Sequence, residues 1–211
     1  EGARILEAVP GGLLLEPRLR IERELAVLVA RSSAGELAAY PVVETVQQDA
    51  MCREIIAPAP IDDAVATEAR TMALAIAERI GAVGVLAVEL FVTPDGLVLN
   101  ELALRPHNSG HFTIEGAVTS QFEQHLRAIL GWPLGPCELR APAVATVNVI
   151  GSDAGEDPRR HMAWALTVPQ VHVHLYDKSP APGRKLGHVT AYGDAPRDVR
   201  ARALRAAALL E

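Results

Sequence analysis

Two glutamates, Glu89 and Glu101, stand twelve residues apart in VELFVTPDGLVLNEL, a stretch otherwise made of Val, Leu and Phe. Pro94-Asp95-Gly96 between them predicts a three-residue hairpin loop with glycine in the left-handed position. If Thr93 faces Leu97, Glu89 lies directly opposite Glu101, with Cβ atoms ~4.5–5.5 Å apart. Two carboxylates there repel, the more so where water is partly excluded. A shared proton, an arginine or a divalent cation would relieve that. Hard cations such as Mg²⁺ take carboxylate oxygens together with substrate phosphates. A Mg²⁺-nucleotide clamp is therefore one expectation. Two solvated acids on the outer face of an edge hairpin are the other.

The next segment, Asn100 to His111, puts amide, acid, guanidinium, two imidazoles, a hydroxyl and a glycine into twelve residues. That is far more polar than a strand exit needs. Arg105 is a bidentate donor suited to carboxylate or phosphate, and His107 and Asn108 stand beside it. Such co-located groups predict a working segment. Further on, Pro182-Gly183-Arg184-Lys185 offers glycine N–H groups and two adjacent cations, with Lys178 seven residues before Lys185. This suits a phosphate; a solvated basic turn is the plainer alternative.

These groups need elements to position them. Glu24–Arg31 and Leu37–Val46 predict strands joined through Gly35. A short apolar run, Leu13–Glu16, precedes them, and Ile55–Pro60 is a short extended piece. Asp62 caps a helix with Val65, Ala69, Met72, Ala73, Ile76, Ala77 and Ile80 at helical spacing, stopped by Gly81. Val83–Val92 and Leu97–Leu102 form the acid-bearing hairpin. Ser120 and Glu123 make a capping box for a helix whose apolar face is Phe122, Leu126, Ile129 and Leu130. Strands follow at Ala143–Ile150, Gln170–Tyr176 and Gly187–Tyr192, then a helix from about Pro196 to Leu210.

Across the 211 residues, 49% are hydrophobic, enough for a packed core and too many for a disordered chain. A net charge of −6 argues against a nucleic-acid surface. No apolar run reaches the ~20 residues of a membrane span, and no signal-peptide pattern is visible. Cys52 and Cys137 form neither a metal spacing nor a disulfide framework, so a cytoplasmic setting is expected. The chain opens on Glu1 rather than Met, which predicts the later part of a longer protein.

NELALRPHNSGHFTIEGAVTSQFEQHLRAILGWPLG, with ERELAVLVAR before it and VHLYDKSPAPGRKLGHVT after it, closely resembles the N5-carboxyaminoimidazole ribonucleotide synthetase family of ATP-grasp enzymes. The resemblance implies an α+β fold: the second ATP-grasp lobe, an antiparallel sheet with helices, over residues 1–134, a linker over 135–142, and a small α+β domain over 143–211. It implies ATP-dependent carboxylation of 5-aminoimidazole ribonucleotide by bicarbonate through carboxyphosphate, with ATP and Mg²⁺ (or Mn²⁺) as cofactors and a homodimer as the assembly. Glu89 and Glu101 match the metal-holding acids, and Asn100 is the extra oxygen ligand. Leu14–Leu19 matches the adenine hinge, with Glu16, Pro17, Arg18 and Leu19 at the nucleotide and Glu24 at the ribose. Arg105, His107 and Asn108 match residues at the substrate and the transferred phosphoryl group. Lys178, Arg184 and Lys185 match the ribonucleotide phosphate site. Gln47 stands where the family often has histidine; it can hydrogen-bond to a nucleotide but cannot be cationic. Asp49-Ala50 replaces the usual Asp-Gly. Another ATP-grasp ligase, such as a formate-using purine transformylase, and a non-catalytic phosphate-binding or oligomerisation module remain as alternatives.

Overall fold

The computed structural model describes residues 16–211. The run Leu13–Leu15, and with it the start of the expected Leu14–Leu19 hinge, lies outside the described residues. Among the described residues, nine strands form one sheet: β1 (Arg23–Arg31), β2 (Leu37–Ala39), β3 (Val43–Gln48), β4 (Met51–Ala57), β5 (Gly84–Thr93), β6 (Gly96–Ala103), β7 (Ala143–Ile150), β8 (Val171–Leu175) and β9 (Lys185–Gly193). Their order is β6-β5-β1-β3-β4-β7-β9-β8, with β2 paired to β1. Every pairing is antiparallel. The C-terminal strands thus continue the first sheet through the β4–β7 ladder, from Glu54↔Val147 to Ala57↔Val144.

Helix α1 (Asp63–Ile80) ends at Gly81, whose φ of 63° is left-handed as its place after the last turn predicts. Its buried alanines Ala69, Ala73 and Ala77 pack on Leu25, Val27, Val29, Leu86, Val88 and Leu90. Small side chains let the helix lie close on a sheet of branched residues. On the opposite face, Ala26, Leu28, Val85 and Ala87 meet Tyr40, Phe112, Ala117 and Cys137. That face is covered by short turns (residues 108–110 and α2, Thr113–Gly116) and by α3 (Gln121–Ile129). Beyond the seam, α5 (Pro196–Ala208) buries Val199, Ala203, Ala206 and Ala207 on the odd-numbered side chains of β7. A one-turn helix, α4 (Met162–Ala165), sits at the margin of that cluster through Ala165.

Four expectations are corrected. The predicted third strand breaks into β2 and β3 around Pro41, which has no N–H for a ladder. The piece expected from Ile55 begins at Met51 and pairs with β3 across a two-residue turn. The acid hairpin closes on two residues, Pro94 and Asp95, because Thr93 pairs with Gly96. Finally, α3 turns its apolar side chains outward: Phe122, Leu126, Ile129 and Leu130 are exposed, while Gln121, Gln124 and Ala128 are buried. The amides explain the inversion. Gln124 donates to Gly135 O at 2.7 Å and accepts from Gly135 N at 2.8 Å, satisfying loop backbone that no helix or sheet serves. Ser120 does cap α3, accepting from Glu123 N at 3.1 Å, but the Glu123 carboxylate pairs with Arg127 instead of returning to the cap.

Candidate active site

The two-residue loop shifts the hairpin register by one, so the expected direct pairing of Glu89 with Glu101 does not form. A β-bulge between Val88 and Leu90 offsets the shift: Leu90 pairs with Leu99, yet Val88 pairs with Leu102. Glu89 therefore confronts two residues, Asn100 and Glu101, across one bulge. Asn100 Nδ2 donates to Glu89 Oε2 at 3.2 Å. Partial burial raises the proton affinity of Glu89; the neighbouring Glu101 raises it further, against the pull of Asn100. The acids thus face each other across a bulge and not as the direct pair expected from the sequence. Among the described residues no group of three His, Cys, Asp or Glu side chains is assembled to hold a metal ion. Two carboxylates and an amide, with phosphate completing the shell, remain a fitting donor set for Mg²⁺.

His107 Nε2 stands 3.7 Å from Glu89 Oε1, a loose contact rather than a hydrogen bond. Its Nδ1 lies 2.9 Å from Ser109 Oγ and receives Ser109 N–H at 3.4 Å. An N–H can only donate, so Nδ1 is the acceptor and the ring proton sits on Nε2, toward Glu89. Burial, then the Arg105 and Lys185 charges, hold His107 below its ordinary proton affinity, against Glu101.

The even-numbered side chains of β7, β9 and β8 present a polar face to this loop. Thr146 and Thr190 share a hydrogen bond at 2.9 Å, and both are fully buried. His188 Nδ1 meets Tyr176 Oη at 2.8 Å, and its ring lies 4.8 Å from that of His111 and 4.7 Å from that of His174. His174 Nε2 lies 2.6 Å from Glu115 Oε1. Asn108 Oδ1, Asn148 Oδ1, Glu115 Oε2 and His188 Nε2 are buried without a partner among the described residues. Buried polar atoms are ordinarily satisfied, so their concentration marks this seam as polar by design rather than as core.

Lys185 belongs to the seam. It is partly buried, and burial, with the Lys178 charge, holds it below its ordinary proton affinity, against Cys52. Burial pushes Cys52 up to about 11, so it stays a thiol. Arg184 diverges outward, donating to Ser179 O at 3.2 Å. Lys178 lies over the Tyr176 ring at 5.2 Å. The expected offer of glycine N–H to a phosphate does not hold: Gly183 N donates to Gly151 O at 2.9 Å.

Adjoining the bulge on the side toward the hairpin turn, Glu16, Pro17, Leu19, Phe91, Val98 and Asn100 line a hollow of about 360 Å³. This brings the expected hinge residues to the metal-side amide. Arg18 is exposed beside them. Glu24 pairs with Phe91 on the Glu89 side of β1, and its charge reaches Glu89. Gln47 is exposed at the β3–β4 turn and lines no part of this hollow. The residue that sequence reasoning missed is Gln121, hidden inside a capping motif. A larger hollow of about 620 Å³, lined by Pro41, Pro58, Asp63 and Arg70, lies on the α1 side, away from every group described above.

Comparison with known proteins fits this architecture. Residues 2–122 match the ATP-grasp domain, and residues 144–202 match the phosphoribosylaminoimidazole carboxylase C-terminal domain. An N5-carboxyaminoimidazole ribonucleotide synthase of Mycobacterium bovis is 52% identical over 187 residues, covering 86% of this chain and 43% of that protein. The Thermus thermophilus synthetase structure superposes with a TM-score of 0.85 at 42% identity, over 99% of this chain and 55% of that one. The Aspergillus clavatus structure, in complex with ADP and 5-aminoimidazole ribonucleotide, gives 0.87 at 36% identity, over 99% of this chain and 56% of that one. The chain spans less than half the length of the curated relative and just over half of the two structures. With its first part matched by the ATP-grasp model and its sheet continuing into the second matched domain, the chain belongs to the ATP-grasp family and carries the phosphoribosylaminoimidazole carboxylase C-terminal domain.

Proposed function

We propose that the protein carrying this chain carboxylates 5-aminoimidazole ribonucleotide with ATP and bicarbonate, and that this chain supplies the second ATP-grasp lobe (1–134), a linker (135–142) and the C-terminal domain (143–211). The observation that carries it is the bulge setting Asn100 and Glu101 against Glu89, with His107 at the same acid and Lys185 across the seam. Glu89, Glu101 and Asn100 would hold Mg²⁺, which would supply neutralisation of the nucleotide's phosphate charge. Glu16, Pro17, Arg18 and Leu19 border the adenine and Glu24 the ribose; Gln47, exposed on its turn outside that hollow, is the expected contact for the remainder of the nucleotide. Arg105 steadies developing negative charge, and His107, neutral with its proton on Nε2, donates a hydrogen bond without adding charge. Asn108 orients substrate beside it. Lys185, with Lys178 and Arg184 at the rim, receives the ribonucleotide phosphate. Positioning and electrostatics do the work here; no covalent nucleophile is needed. The whole protein is proposed to act as a cytoplasmic homodimer.

Glu101→Gln in the whole protein tests this. It preserves shape and removes one of the two charges, so ribonucleotide-dependent ADP release should fall by two orders of magnitude or more, on the scale of losing a preorganised electrostatic group. Near-normal release with normal folding sinks the metal assignment.

A further inference from the structure

We infer that Gln121 is a positioning residue that fixes both the backbone of His107 and the tautomer of His111; its bearing on turnover rests on the reaction proposed above. Gln121 is fully buried at the first turn of α3. Its Oε1 accepts from His107 N at 2.8 Å, and its Nε2 donates to His107 O at 2.8 Å. This two-point pairing fixes which way the amide faces, since a flipped amide would set donor against donor and acceptor against acceptor. The same Nε2 lies 2.9 Å from His111 Nδ1. An amide nitrogen can only donate, so His111 Nδ1 accepts and the ring proton is on Nε2.

The amide is itself held. Gln121 N donates to Thr113 Oγ1 at 2.8 Å, and Thr113 Oγ1 donates to Gly110 O at 2.6 Å. Gly110 has no room for a side chain: an added Cβ would meet Leu28 Cδ2 at 2.2 Å and Gln121 Oε1 at 2.3 Å. The segment from His107 to His111 is therefore wound around one amide, closed on the far side by a glycine. Burial, then the charges of Lys185 and His107, lowers His111 to about 4, against a backbone hydrogen bond with His107, so the ring is neutral and its two nitrogens differ. Its ring lies against His188 and at 6.2 Å from Tyr176, so the tautomer chosen by Gln121 decides which of its nitrogens carries the proton within the seam.

The test uses the whole protein with ¹⁵N-labelled histidine. Wild-type His111 should show an unprotonated Nδ1 and a protonated Nε2; the reverse overturns the proposal outright. In Gln121→Glu the donor is lost, and His111 Nδ1 should take up a proton. The kcat for ADP release should fall on the order of 10²-fold, as for a small misplacement of reacting groups, with the KM for ATP within about twofold. An unchanged tautomer or an unchanged kcat in a folded variant overturns it. Gln121→Asn, too short to span His107 N and O, should show the same loss, and if neither variant folds the wild-type tautomer alone decides. A wild-type protein with the expected tautomer but no ribonucleotide-dependent ADP release would leave the positioning of His107 and His111 intact and count against the proposed reaction instead.

Discussion

At the scale of single residues, the acid pair shows how two register changes can compensate for each other. The sequence makes Glu89 and Glu101 neighbours by counting from a three-residue loop, and the structure uses a two-residue loop plus a bulge. What was legible is the chemistry, two acids and an amide at one end of a hairpin. The bulge was not, because nothing in Leu99–Leu102 distinguishes a strand with an extra residue from one without. Arg184 and Lys185 show a complementary limit. Adjacent in sequence, they look like one basic site, but Lys185 turns into the seam while Arg184 bonds to Ser179 O. Lys185→Ala should therefore raise the KM for the ribonucleotide by roughly ten- to a hundredfold, the scale of a hydrogen bond to a charged group. Arg184→Ala should raise it much less. Steady-state kinetics with each single variant check this, and equal effects would place the phosphate at the loop rim.

At the scale of elements, strands and α1 were readable because their apolar positions recur with the right period. The α3 helix was misread because two of its buried residues are glutamines serving loop backbone, and no periodicity can distinguish those from solvated ones. The β3–β4 turn was missed for a related reason. Asp49 and Ala50 both adopt left-handed backbone, φ 52° and 58°. Such a turn favours glycine, so Ala50 gives no signal for it. Alanine is strained there by about 1 kcal/mol. Ala50→Gly should therefore stabilise the protein by roughly that amount despite the added chain entropy. Urea unfolding should show a higher midpoint with an unchanged slope; a lower midpoint would mean the turn relaxes in solution.

For the molecule as a whole, the seam carries a stability cost that depends on pH. His111 and His188 lie below their ordinary value of 6.5, chiefly through burial, His111 at about 4 and His188 lower still. As pH falls, the unfolded chain takes up these protons first, so stability present above about 6.5 is lost between there and about 4. Melting temperatures should drop through that window, and replacing His188 with Gln should shallow the drop. A flat profile would mean that these rings are hydrated in the native state. Lattice-like association of distant residues was the least legible feature of all. His111 lies in the loop before α2, His174 in β8, Tyr176 just past β8 and His188 in β9, and only the tertiary fold assembles them.

That continuity makes the molecule a gauge. The β4–β7 ladder joins the acid-bearing strands to the one carrying Lys185 by backbone hydrogen bonds rather than by a swivelling link. Backbone ladders of this kind have little play, so the span between the acid pair and the lysine is set at folding. Two ligands, if held at its ends as proposed, would thereby be measured against each other. A molecule too short to reach both would be refused by a missing contact instead of a clash, and selection by length would follow from strand order alone.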